Sequence, residues 1–486
     1  MQLGESPWLH CMQVHEETGG GGLSELPDDV LLNILDRVCA LDAVRTCLLS
    51  KRTLHLPAML SRIAIDVYSL LPAVVAEDDD LSVTRTKLAR TNGSVARATR
   101  KILDERPPNM PIRKLKLKFF LQLDDCLSIG TSVTRAMATN RVDAAEFKII
   151  TEDFNKCADG YLVGYAKRFN SFLRACPEAF AGLTRLHLEN LRFSDPGAIS
   201  SILAACGRME SLRLFECDAG VESVMRVEHG RLIELEIFYG KFRTVELRWL
   251  PKLRRMVYHN WAFADAPLFF GFVPQLSKLS LSNAYLSENK IRLSQLLVNF
   301  TSISDMHLDF QSEMVWILPE RPGLLGPVLG KLRRVDLDFL PKGCDITWTL
   351  FFLEGVPSLE EMCLSVRDHW CGAETRDAHC KERGMHWKPS LGADFKHENL
   401  ARLTIYGFQS AYRFIRYVKR VISVAVNIKE ISLHDTKVCD FCTEEFGLKR
   451  DDCLSKYTRT SRKKDLLRER IKEGLVMTSP AAIHFN

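Results

Sequence analysis

The sequence predicts an α/β protein, a short N-terminal helical unit followed by an irregular solenoid with parallel strands on its concave face. Three observations carry this. Apolar residues recur at helical spacing between Leu23 and Arg52. Behind that segment, a pattern of apolar residues at positions one, four and six returns twelve times. At 486 residues, the chain also exceeds what a single ordinary core holds, which calls for several domains or a repeat array.

In the helical unit, Leu26-Pro27-Asp28-Asp29 reads as a helix start. Proline at the first helical position pre-sets φ and lacks an N–H that would be unpaired there, and the two carboxylates suit the positive helix end. Val30, Leu31, Ile34, Leu35 and Val38 follow at helical spacing, and Asp42 reads as the cap of a second helix carrying Val44, Cys47 and Leu48. So short a segment cannot cover this apolar surface alone, so part of it must face another domain or chain. At Leu26, Pro27, Asp28, Asp29, Val30, Leu31, Ile34, Leu35, Asp42, Ala43, Val44, Leu49, Ser50, Lys51 and Arg52, the segment resembles an F-box. It departs from that pattern at Thr53, where the family usually has Trp. The resemblance implies three helices that hold a Skp-type linker protein, and through it a cullin, with Leu26, Pro27, Leu31, Ile34, Val44 and Leu48 forming the contact.

The repeated units begin at Ile112, Val142, Leu183, Met209, Leu232, Leu253, Leu276, Ile303, Leu332, Leu359, Leu400 and Ile428. Their spacings are 30, 41, 26, 23, 21, 23, 27, 29, 27, 41 and 28, mostly in or near the range of roughly 20–29 for leucine-rich repeats. On a strand, positions four and six point into the core and position five points out. The outward row then includes Lys116, Glu146, His187, Arg213, Glu236, Val257, Ser280, His307, Asp336, Cys363, Thr404 and Ser432. Lys116, His187, Arg213, Glu236, His307 and Asp336 are its candidate substrate-binding residues. Helical or irregular segments are expected on the outside. The Asn or Cys that builds a buried ladder in regular repeats is met at Cys217, whereas other units carry Leu191, Gly240 or Trp261. The two 41-residue intervals should hold extra loops, the second of them over Arg367–Glu398.

Residues 1–22 read as a disordered leader, 23–65 as the helical domain, 66–109 as a connector with a short helix around Val95–Leu103, and 110–438 as the solenoid. Residues 439–486 read as a C-terminal cap and basic tail. Ala425–Ile431, with Ser479-Pro480 and Ile483-His484-Phe485, is similar to the FBD-type ending of plant, particularly grass, F-box/leucine-rich-repeat proteins. Leu466, Leu467, Arg470 and Ile471 mark a short tail helix expected to pack on the last repeat.

Composition narrows the function classes. A hydrophobic share of 46% and a charged share of 26% are ordinary for a soluble globular protein, and no apolar run reaches the ~20 residues of a membrane span. The net charge of +5 equals the surplus in Lys449–Glu473, so a basic nucleic-acid surface is not indicated. Fifteen scattered cysteines suit reduced cytoplasmic or nuclear thiols. Cys439-x-x-Cys442 is half a zinc site, which Cys453 and His434 would complete; no metal and no cofactor are expected. Gly330-Lys331 is followed by Leu332 and preceded five residues earlier by Leu325, so it is no phosphate loop, and no His-Glu-x-x-His occurs. The expectation is a non-catalytic substrate-recognition adaptor of a Skp–cullin–F-box ubiquitin ligase. Its alternative is a repeat scaffold or receptor acting outside a ligase.

Overall fold

A computed structural model of the chain describes residues 26–38, 40–70, 89–152, 159–220, 223–261, 266–283, 290–298, 300–311, 315–341, 344–367, 394–435, 457–458, 460–475 and 481–486. The chain divides into two compact units, one up to Asn155 with Arg174–Gly182, the other comprising Lys156–Leu173 and the chain from Leu183.

In the first unit, helix α1 (Asp28–Leu35) starts one residue after Pro27, which is the N-cap, with ψ 149°. Leu31 and Leu35 form its buried stripe. Helix α2 (Ala40–Cys47) begins two residues before the expected cap, so Asp42 lies in its first turn and binds Arg45 at 3.1 Å. The third helical element is a 3₁₀ turn, Leu56–Met59. Strand β1 (Arg62–Asp66) then pairs in parallel with β2 (Ile112–Phe120). Its Ile63 and Ile65 are buried between exposed Arg62 and Ala64, the period-two pattern of a strand, although the sequence reading left these residues in the helical domain. Helix α3 (Asn92–Asp104) occupies much of the expected connector and buries Val95, Ala96, Thr99, Ile102 and Leu103. Helix α4 (Leu123–Thr139) leads to β3 (Val142–Ile150), which pairs in parallel with β2.

Two polar clusters, one buried and one half-buried, join the helices to β1 and β2. Arg106, 6% exposed, donates to the carbonyls of Ala58, Leu60, Met110 and Pro111. The Asp36 carboxylate accepts from the Ser61 N–H and hydroxyl and from the Arg62 N–H, at 2.6–3.0 Å. Carbonyls at chain ends and turns would otherwise be left unpaired on burial, at a cost of ~1–3 kcal/mol each.

The second unit carries strands β4 (Arg185–Glu189), β5 (Ser211–Phe215), β6 (Val224–Glu228), β7 (Glu234–Phe238), β8 (Thr244–Trp249), β9 (Arg255–Trp261), β10 (Leu268–Phe272), β11 (Lys278–Asn283), β12 (Asp305–Asp309), β13 (Arg334–Pro341), β14 (Glu361–Arg367), β15 (Arg402–Tyr406), β16 (Glu430–His434) and β17 (Ala482–Phe485). Eleven form one parallel ladder in the order β4-β5-β7-β9-β11-β12-β13-β14-β15-β16-β17. Ten of these are the repeats read from the sequence, and β17 is an additional strand that the terminal Ile483 and Phe485 anchor. The apolar residues at positions one, four and six of those ten repeats are at most 2% exposed. Each such side chain removed from water contributes ~1.5–3 kcal/mol, and the stack repeats this along the whole ladder.

The outside of the array departs from expectation. Strands β6, β8 and β10 form a second parallel sheet, one in each of the three intervals of 23, 21 and 23 residues. Extended chain advances ~3.3 Å per residue against ~1.5 Å in a helix, so the shortest intervals can cross the outside only as strands. Longer intervals hold helices, among them Ala198–Ala205, Pro322–Leu329 and Tyr412–Val424. The first 41-residue interval is filled by the helices Asp159–Ala175 and Pro177–Ala181 rather than by loops. Most of the second, residues 368–393, lies outside the described residues.

Left-handed backbone stands beside the missing Asn ladder. Asn190, Glu216, Tyr239, Asn260 and Phe339 all have φ between 50° and 60°, each three residues after the outward middle residue of its strand. This turn aims the N–H groups of Asn190, Glu216 and Tyr239 at the carbonyls of Phe215, Phe238 and His259, at 2.8–3.0 Å. Further along, the ladder position is filled by Trp261, whose indole packs edge-on against Trp316 at 5.1 Å. Phe310, Trp348 and Phe351 continue this aromatic spine, with ring centroids 5.7–6.0 Å apart. Helix Ser461–Lys472 closes the C-terminal end of the unit. Its Lys464 and Arg468 donate to the carbonyls of Phe485 and Ile483, and Leu467 and Ile471 are buried, but Leu466 faces out.

Candidate functional site

On the first unit, the structure separates core from surface among the expected contact residues. Leu31 is only 4% exposed and belongs to the interior, because it shares the α1 face of Leu35. It is the one buried residue among the six expected contacts. Pro27, Ile34 and Leu48 are exposed, whereas Leu26 and Val44 are half-buried. Val30, Leu49 and Leu54, which the sequence reading did not single out as contacts, add to the outward apolar set, with Leu49 85% exposed. The signal was available for Val30, four residues before Ile34 and so on the same helix face. Val44 and Leu48 also line a cavity of about 300 Å³ together with Leu54, Met59, Ile102 and Pro107. Thr53 points inward, 7% exposed, and its hydroxyl donates toward the carbonyls of Cys47 and Ser50 at 2.9 and 3.0 Å. Arg52 closes the unit by donating to the Leu26 carbonyl and the Asp28 carboxylate.

The outward residues do form a row. In the first unit Lys116 stands in register with Glu146 and meets its carboxylate at 3.1 Å. In the second unit, the pairing runs His187, Arg213, Glu236, Val257, Ser280, His307, Asp336, Cys363, Thr404, Ser432 and on to His484. Val257 and Ser432 are buried, so the row is not uniformly accessible. Several of its charges are paired across strands. Glu236 accepts from Arg255 and lies 3.4 Å from Arg213, whereas Asp336 is bound at 3.1 Å by Arg334 of its own strand. The Arg213 guanidinium also lies over the Phe238 ring, 4.7 Å from its centroid.

A polar strip crosses β9, β11, β12 and β13. The Ser280 hydroxyl is 2.7 Å from His259 Nε2 and 2.8 Å from His307 Nδ1, and His307 Nε2 is 3.6 Å from an Asp338 carboxylate oxygen. Burial, followed by the charges of His307 and Arg255, pushes His259 down to about 4. Burial works to raise Asp338, but hydrogen bonds from His307 and Ser365 outweigh it and hold the group below the usual carboxylate range. Burial raises Asp309 on the adjoining strand. Nothing in the linear order joins Ser280, His307 and Asp338, because their proximity depends on the strand register. A serine–histidine–carboxylate series cleaves esters or amides only beside oxyanion donors. Strand β11 is paired on both sides, so its N–H groups are engaged in the sheet. The strip is a hydrogen-bonded surface shared by four neighbouring strands.

Residues 174–486, more than half of the chain, match the family profile described as the At1g61320/AtMIF1 leucine-rich-repeat domain. The chain belongs to this leucine-rich-repeat family. Residues 23–62 match the F-box domain. Two Arabidopsis thaliana proteins are similar to it. The F-box/FBD/LRR-repeat protein At3g52680 is 22% identical over 326 residues, covering 63% of this chain and 58% of that protein. The F-box/LRR-repeat protein At3g03360 is 24% identical over 434 residues, covering 83% of each. The chain therefore spans less than two thirds of the first relative and most of the second.

The F-box match and the parallel ladder bear out the expected fold class, an F-box followed by leucine-rich repeats. Of the zinc candidates, His434 stacks on Tyr406 with centroids 4.5 Å apart, while Cys439, Cys442 and Cys453 lie outside the described residues. Among the described residues, no His/Cys/Asp/Glu group has metal-holding geometry, and no helix is long and apolar enough to cross a membrane.

Proposed function

We propose that this F-box/leucine-rich-repeat chain is the substrate-recognition adaptor of a Skp–cullin–F-box ubiquitin ligase. The observation that carries the reading is the outward apolar set Val30, Ile34, Leu48, Leu49 and Leu54 on a unit that matches the F-box. Exposed apolar side chains grouped on so small a helical unit are the mark of a docking surface. The F-box docks the Skp-type linker, and the repeat face holds a protein substrate through residues such as His187, Arg213, Glu236, His307 and Asp336. Holding the substrate near a ubiquitin-loaded enzyme raises effective concentration, so the adaptor needs no catalytic residue, metal or cofactor of its own.

The same reading assigns the C-terminal residues to an FBD-type cap of the grass kind, and places the protein in the cytoplasm or nucleus, where ubiquitin ligases of this class work. Co-expression of the full chain with a plant Skp-type linker tests it. A stable complex that also retains the cullin on size-exclusion chromatography is expected. Elution of the chain alone, with the linker separate, would overturn the proposal.

A further inference from the structure

We propose that the cavity beside Asp338 receives the cationic side chain, lysine or arginine, of a substrate peptide segment. The identity of the occupant as a substrate rests on the adaptor reading above; the cavity's preference for a cation does not. The cavity has a volume of about 340 Å³ and opens on the concave face, between His307, Asp336, Asp338, Cys363 and Tyr406. This is ample for one long side chain and too small for a folded element.

Its charge is unbalanced. Among the described residues that line it, Asp336 and Asp338 face a single permanent cation, Arg334. Arg334 is already committed, with its Nε 3.1–3.2 Å from both oxygens of Asp336. Asp338 is supported by dipoles instead, namely the Phe339 N–H at 3.0 Å and the Ser365 hydroxyl, with His307, which carries charge only when protonated, at 3.6 Å. Glu361, at the start of β14, is answered by Arg402 and Arg334, so the acidic surplus among the lining residues is that of Asp336 and Asp338. An ammonium or guanidinium entering it would gain a charge-assisted hydrogen bond to Asp338.

The walls select the same chemistry. Tyr406 lines the cavity and is held in place by stacking on His434, which supplies an aromatic surface for a cation and its methylene stem. Burial pushes the Cys363 thiol up to about 12, so it stays a neutral wall rather than a thiolate competing for metals. An anion would meet two carboxylates. Glycine at 407, with φ 70°, turns the chain just beyond Tyr406 and completes the rim.

The test uses the full chain and an array of synthetic peptides scanned at each position with Arg, Lys, norleucine and Glu. One position should prefer Arg or Lys over norleucine by at least tenfold in Kd. Asp338→Asn should abolish that preference, and Tyr406→Leu should weaken it severalfold, with both variants keeping the wild-type melting midpoint. Absence of a basic preference, or its survival in Asp338→Asn, would overturn the proposal, as would binding of free spermine without binding of any peptide. Linker co-purification is measured in parallel. Loss of linker binding with the basic preference intact sinks the adaptor reading alone, and the reverse sinks the cavity proposal alone.

Discussion

The guanidinium of Arg106 lies 2.7 Å from the carbonyl oxygen of Leu60, and its other nitrogens reach the carbonyls of Ala58, Met110 and Pro111. One side chain from the segment after α3 thus ties the end of the F-box to the start of β2. Burial lowers the Arg106 pKa, with Asp36 acting in the opposite direction. Replacing it by Ala would strand several buried carbonyls at once. We expect Arg106→Ala to cost about 3 kcal/mol, and Arg106→Lys to recover little of it because an ammonium lacks the planar fork. Amide hydrogen exchange at Ile63 and Ile65 should accelerate roughly a hundredfold in Arg106→Ala. Unchanged exchange there would mean that the cluster does not hold β1.

Leu31 and Leu49 separate folding from docking. Leu49 is 85% exposed, so Leu49→Asp should leave the melting midpoint within about a degree while weakening linker binding at least tenfold. Leu31 is 4% exposed, so Leu31→Asp buries a carboxylate without a partner and should unfold the F-box outright. Thermal melts paired with linker pull-downs distinguish the two. Normal linker binding by a folded Leu49→Asp variant would remove this residue from the docking surface.

Much of this was legible in the sequence because the ladder repeats a local rule. Position four and position six residues such as Leu212 and Leu214 follow the period-two geometry of any strand, whatever their neighbours do. What was not legible depends on distance in space. Arg62–Asp66 reads as a tail of the helices until a partner strand at Ile112–Phe120 is known. Strands β6 and β8 alternate, with Met225 and Val227 and then Val245 and Leu247 buried, but they lie outside the repeated one-four-six pattern; β10 lacks alternation as well, and Leu268–Phe272 buries only its first residue. Leu31 against Ile34 was a matter of which helix face meets the core, and periodicity gives two faces without naming the inner one. His259, Ser280, His307 and Asp338 are spread over 80 residues and meet only through register.

Thr53 occupies the place where the family pattern has Trp, and the structure gives it an interior task. Its hydroxyl donates toward the carbonyl of Cys47, the last residue of α2, and toward that of Ser50, which also accepts from the Thr53 N–H. Thr53→Val keeps the shape and removes that donor, so it should cost about 1 kcal/mol. Denaturant titration of wild type and variant checks this, and linker affinity measured on the folded fraction should not change. A drop in affinity without a drop in stability would instead make Thr53 part of the docking surface.

His259 gives the repeat unit a pH dependence of definite sign. The folded imidazole is held near 4, mainly by burial and then by His307 and Arg255, against an ordinary value of 6.5. Between those two values the unfolded chain binds a proton that the folded chain refuses. Stability contributed by the neutral ring is therefore complete above pH 6.5 and is lost progressively as the pH falls toward 4. The loss can reach about 3 kcal/mol, since each unit of pKa difference corresponds to ~1.4 kcal/mol. His259→Gln keeps a polar side chain of similar reach but cannot take up that proton. Urea titrations at pH 7 and pH 5 should show a smaller decline for this variant than for the wild type. An equal decline in both would place the acid sensitivity elsewhere in the repeat unit.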